Sequence, residues 1–145
     1  MNKYKRIFNS IDKKYNYIFS KNNIKLIFGC DYFASNINEK QIMCSDNESF
    51  NINYLRKYFK DEINIDKIDL NIFAFLHEMG HIYEDLKYGN NSNTVMQNDL
   101  FWDLLEISIN FEIGEYEEFI RYRELPRERF ADDFAIKNYY KIYKL

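Results

Sequence analysis

HEMGH, residues 77–81, contains both histidines of this 145-residue chain, four positions apart, with a glutamate directly after the first. The reading of the fold turns on whether that stretch is helical, and its flanks say that it is. Ile72, Phe75, Leu76, Met79, Ile82, Tyr83 and Leu86 recur at i, i+3, i+4, i+7 spacing, the period of an amphipathic helix. The pattern predicts a helix from about Asp66 to Tyr88, with Gly89 in the usual position after the last turn. Residues four apart on a helix face the same way, so His77 and His81 can hold one ion. Glu78 lies about 100° further round the axis, where a carboxylate can reach a metal's water without ligating the metal. The chemistry needs that division. Zinc with three protein ligands keeps a fourth position for water and lowers its pKa to about 7. A nearby carboxylate takes the proton as the hydroxide attacks a carbonyl and then delivers it to the leaving amine. The competing reading is two histidines on an exposed face of an ordinary helix. Gly80 weighs against it. A mid-helix glycine costs about 1 kcal/mol relative to alanine, which is tolerated where another helix or a substrate chain must approach closely.

Two histidines do not close a catalytic zinc site, and the chain has no third. The remaining ligand must be Cys, Asp or Glu. Glu84 and Asp85 share the helix but sit one turn too far on to bind well beside both imidazoles. Glu106 and Glu112 remain possible. The best candidate lies in LPRERFADDFA, residues 125–135, where Glu128 and Asp132 are four apart on one predicted helix face. Glu128 can ligate. Asp132, one turn on, can accept a hydrogen bond from the outer nitrogen of a ligating histidine and so set its tautomer. Ala131 and Ala135 leave room for this helix to lie against the first. Taken alone, Glu128 and Asp132 read as a solvated face rich in Arg and acids; beside HEMGH they read as ligand and support.

Outward from these two helices the elements are shorter. Ile7, Phe8, Ile11, Tyr15, Ile18 and Phe19 predict one amphipathic helix over 3–20. IKLIFG (24–29) and QIMCS (41–45) read as short strands, giving a hairpin or small meander over about 24–47. A short helix is expected over 51–60, another near 97–113 with Asp99, Asp103 and Glu106 along one stripe, and a last one from Pro126, a residue suited to a first helical turn, to about Tyr140. There is no internal repeat and no linker. The expected fold class is α+β, a single domain over 1–145, with a small N-terminal sheet packed on four or five helices.

Composition agrees. Hydrophobic residues make up 46% and aromatics 19%, enough for one ring-rich core. Four glycines and one proline disfavour a turn-rich all-β domain. The net charge of -3 says little about partners. Its distribution says slightly more: residues 1–25 carry seven Lys/Arg against Asp12 alone, and residues 99–119 carry seven acids and no base. The basic segment can touch nucleic acid, but the plainer reading is the solvated faces of two helices, so no clear nucleic-acid site is expected. Cys30 and Cys44 are too few for a disulfide scaffold and are read as reduced, buried thiols. Neither a signal peptide nor a membrane span is apparent, and a cytoplasmic protein is expected.

H-E-x-x-H followed by E-x-x-x-D on a later helix resembles the gluzincin zinc peptidases. The finer pattern is similar to the small ImmA/IrrE-type metallopeptidases, which pair HExGH with an E-x-x-A-x-x-F-A helix; Glu128, Ala131, Phe134 and Ala135 match it. The resemblance implies a minimal zincin-like domain, Zn2+ held by His77, His81 and Glu128, Glu78 as general base, and a peptide or protein substrate. It also implies a regulatory protease of the kind carried by phages and mobile elements, although the chain lacks a recognisable helix-turn-helix or sensor domain. Amide hydrolysis needs a donor for the developing oxyanion as well. Tyr122 and Arg123 are nearest in sequence to the proposed site, and Tyr122 is taken as the candidate. Strand 41–45, as a free sheet edge beside the site, would bind an extended peptide by β-augmentation. The alternative function is a non-catalytic metal-binding regulatory or interaction protein derived from a peptidase.

Overall fold

The computed structural model describes residues 2–89 and 115–143. The helix expected over 97–113, with Glu106 and Glu112, lies outside the described residues. Within them the chain is α+β: six helices and a three-stranded mixed sheet. No helix among them is long and apolar enough to cross a membrane.

The N-terminal helix differs from expectation. Helix α1 runs Lys3–Lys14, opened by Asn2, whose side chain accepts from the Tyr4 amide, and closed by Lys13 and Lys14 at its negative end. The chain then breaks, because Asn16 and Tyr17 take left-handed backbone angles (φ 57° and 61°). A separate short helix, α2, spans Ile18–Lys21. Asp12 stabilises the break: its Oδ1 accepts from the Phe19 and Ser20 amides at 2.9 and 3.2 Å. Phe19, at the far side of the break, is fully buried in the core.

Strands β1 (Lys25–Cys30), β2 (Ala34–Asn36) and β3 (Gln41–Ser45) form a sheet of order β1-β3-β2. β3 pairs parallel with β1 and antiparallel with β2. The 41–45 strand is therefore central and hydrogen-bonded on both sides, not a free edge, and the segment is not a simple hairpin. The missed element is β2, too short to show alternation. The Tyr4 hydroxyl donates to the Ser45 carbonyl (2.8 Å), tying α1 to the sheet.

Helix α3 spans Ile52–Tyr58, and after a single 3-10 turn α4 runs Leu70–Tyr88. Asp69 caps α4, its Oδ1 accepting from the Asn71 and Ile72 amides. Gly89 ends it at φ 81°. Helix α5 (Glu115–Glu124) leads into α6 (Pro126–Tyr143). α4 is the axis of the molecule, with α6 along one side and β2 and β3 on another. Phe75, Leu76, Met79 and Ile82 of α4 have no exposed surface and join Phe19, Ile42 and Phe59 in one core. Cys44 is buried there, which pushes its thiol up to about 12; Cys30 is only half-buried.

Candidate metal centre

The close approach of α4 and α6 builds the site. Gly80 faces Ala131: a Cβ at Gly80 would fall 2.9 Å from Ala131 Cα and 3.0 Å from Phe134 Cβ. Glycine is needed because backbone, not a movable side chain, occupies that space. Ala131 and Ala135 are both fully buried. At this separation the first turn of α6 delivers Glu128 to the two histidines one turn apart on α4.

The three side chains converge. His77, His81 and Glu128 are each less than a tenth exposed, and one donor atom from each lies within 4.8 Å of the others. His81 Nε2 is 2.8 Å from Glu128 Oε2, and His77 Nε2 is 3.5 Å from Oε1. Among the described residues no other group of His, Cys, Asp or Glu is so placed. Glu84 and Asp85 point elsewhere, to Arg127, whose two terminal nitrogens donate to Asp85 at 2.6 and 2.8 Å.

Support comes from the other side of the rings. His77 Nδ1 lies 2.7 Å from Asp132 Oδ1, and Asp132 has no exposed surface. That contact directs Nε2 toward Glu128. Arg123 Nη1 donates to the same Asp132 oxygen at 2.9 Å. Arg123 is thus bound to the histidine's support, rather than standing as an oxyanion donor. Tyr122 does reach the centre, where its hydroxyl donates in a short hydrogen bond to Glu128 Oε1.

The electrostatics follow from burial and pairing. Burial works against the Glu128 carboxylate, but hydrogen bonds from His77 and His81 outweigh it and hold the group well below the usual carboxylate range. Burial likewise disfavours charge on His77, yet the Asp132 carboxylate and then Glu128 outweigh it and raise the imidazole to about 10. Burial and the adjacent Glu128 charge push the Tyr122 hydroxyl far above its ordinary value, so it stays protonated. His77 therefore carries its charge between the Asp132 and Glu128 carboxylates. Two imidazole nitrogens and a carboxylate, with one ring oriented by a carboxylate behind it, fit zinc.

Glu78 stands at the mouth, its Oε2 accepting from Ser35 Oγ of β2 at 2.7 Å. A cleft of about 310 Å³ opens there, lined by His77, Glu78, Tyr122 and Arg123 with Phe33 and Phe119 among its apolar walls. Glu48 also lines it, accepting from the Phe33 amide, and burial raises its pKa. Sequence reasoning did not find Ser35 or Glu48. Both lie in irregular or very short elements with no periodicity to mark them.

No family model, curated protein or solved structure matches the chain.

Proposed function

We propose that this chain is a zinc-dependent peptidase of minimal zincin-like architecture. One observation carries the reading: two histidine nitrogens and a glutamate carboxylate converge within 4.8 Å of one another, beside a cleft that His77 and Glu78 line. His77, His81 and Glu128 would hold the ion. When bound, zinc supplies Lewis acidity and brings a water's pKa to about 7. Glu78 takes the proton from the attacking water as the new C–O bond forms, and returns it to the amine nitrogen as the C–N bond breaks. Tyr122 is protonated and would serve as the donor for the developing oxyanion by turning its single O–H from Glu128 Oε1 to the substrate. Ser35 positions the Glu78 carboxylate. The sheet edge beside this site is β2, and an extended peptide would lie along it by β-augmentation. The likeness of HEMGH and ERFADDFA to the ImmA/IrrE-type enzymes supports the same reading.

The test is metal content together with Glu78→Gln. One zinc per chain is expected in both proteins, with cleavage of a general peptide library by the wild type only. A wild type that takes up no zinc sinks the site, and full cleavage by the variant sinks the role of Glu78. Zinc in both with cleavage by neither would point to the non-catalytic metal-binding protein.

A further inference from the structure

On another face, the ends of three helices and α2 bring together lysines that lie far apart in sequence. A groove of about 430 Å³ is lined by Lys14, Lys21 and Lys87, with Tyr15, Tyr83 and Asn22 between them. From α6, Lys141 lies within hydrogen-bonding reach of Lys14, and Lys137 is near. None of these five lysines forms an ion pair among the described residues, whereas Lys3, Arg56, Arg123, Arg127 and Arg129 each meet a carboxylate. Local acids are otherwise engaged. Asp12 is buried and caps α2, Glu84 faces Arg127, and Asp133 meets Arg129.

Lys14, though exposed, donates to Asn138 Oδ1 at 2.7 Å. Partial burial, and then Lys141 and Lys137, bring its pKa down to about 8. Like charges gathered without a carboxylate partner among the described residues oppose the fold locally, and a bound polyanion would relieve that repulsion. Tyr17 is 49% and Tyr88 57% exposed, each adjacent in sequence to a lining residue. Lys87 Nζ sits over both the Tyr83 and Tyr88 rings. A basic groove whose lining segments also carry exposed tyrosines suits a flexible strand, whose phosphates follow the charge while its bases stack.

We propose that this face binds single-stranded nucleic acid, with the lysines on its phosphates and Tyr17 and Tyr88 beneath its bases. The site is separate from the metal centre, and its test does not depend on peptidase activity. Fluorescence anisotropy of labelled oligo(U) and oligo(dT) of about 20 nucleotides, with the full chain, should show binding at about 50 mM NaCl. The plot of log K against log salt should fall with a slope of about -0.7 per phosphate engaged. Replacing Lys14, Lys21 and Lys87 together by Gln should weaken binding about tenfold or more and flatten the slope by about 2. Tyr17→Ala should weaken binding several-fold while leaving the slope unchanged, because stacking releases no counterions. Lys60→Gln with Lys67→Gln, which removes charge elsewhere, should bind as wild type. Thermal melts of every variant exclude misfolding as the cause. Oligo(U) against oligo(dT) tells RNA from DNA. No binding, an undiminished triple variant, preference for duplex, or binding only to vesicles of anionic phospholipid would each overturn the proposal.

Discussion

Glu128 and Asp132 sit one turn apart on α6 and do different work. Glu128 faces both histidines, whereas of the two Asp132 touches only His77, from behind. Removing a ligand takes away a donor atom. Removing a support loosens a ring that still has its nitrogen. Glu128→Ala should therefore abolish tight zinc binding, and Asp132→Ala should weaken it about 10–100-fold. Competition with a zinc-sensitive dye reads both; equal losses would show that Glu128 is not a ligand. Leaving Arg123 without its carboxylate partner should also lower the stability of the Asp132 variant, by roughly 3–5 kcal/mol at most, because a mostly buried charge loses its partner.

Between elements, the contact to test is α4 against α6. In isolation Gly80→Ala should favour the helix by about 1 kcal/mol. Here the new methyl would meet the Ala131 backbone at 2.9 Å, and a backbone cannot swing aside as a flexible side chain can. The packing loss should dominate, for a net destabilisation of about 1–2 kcal/mol. Because the same displacement carries Glu128 away from His77 and His81, zinc affinity should fall in the same variant. Denaturant melts and the dye assay measure the two effects. A stabilised Gly80→Ala with unchanged affinity would show that the helices are further apart than described. Legibility also varied at this scale. α4 and α6 have several turns of repeating pattern and read true except at the start of α4, which begins at Leu70 rather than Asp66 because Ile65–Lys67 forms a separate 3-10 turn. The α1–α2 break did not, because Ile18 and Phe19 keep helical spacing with Ile11 and Tyr15 while the backbone between them reverses hand at Asn16 and Tyr17.

For the molecule as a whole, folding is expected to rest on the apolar core rather than on a bound ion. Phe19, Ile42, Phe59, Phe75 and Leu76 form one buried core, and hydrogen bonds from His77 and His81 offset the burial of the Glu128 carboxylate. Chelation should therefore lower the melting temperature without unfolding the chain. With free zinc at about 1,000 times its dissociation constant the stabilisation is about 4 kcal/mol, a shift of roughly 8–16 °C for a chain of this size. Calorimetry with and without chelator tests this. A chain unfolded at room temperature after chelation would make the site a structural staple instead.

What the amino-acid sequence determined by itself is whatever a helical period can carry. His77 and His81 must share a face, Glu78 must stand off it, and Glu128 and Asp132 must point together, because 3.6 residues per turn set those directions locally. The same period marked Gly80 as a place of close approach. Only the tertiary structure decided that Ala131 fills that place and Glu128 completes the cluster. It also made β2 the sheet edge, brought Ser35 to Glu78 and Arg123 to Asp132, and gathered Lys14, Lys87 and Lys141 at one end. Those juxtapositions join positions many residues apart, and no local spacing encodes them. They follow from the packing of α4 between the sheet and α6, which buries one set of apolar faces and thereby sets where every attached polar group must go.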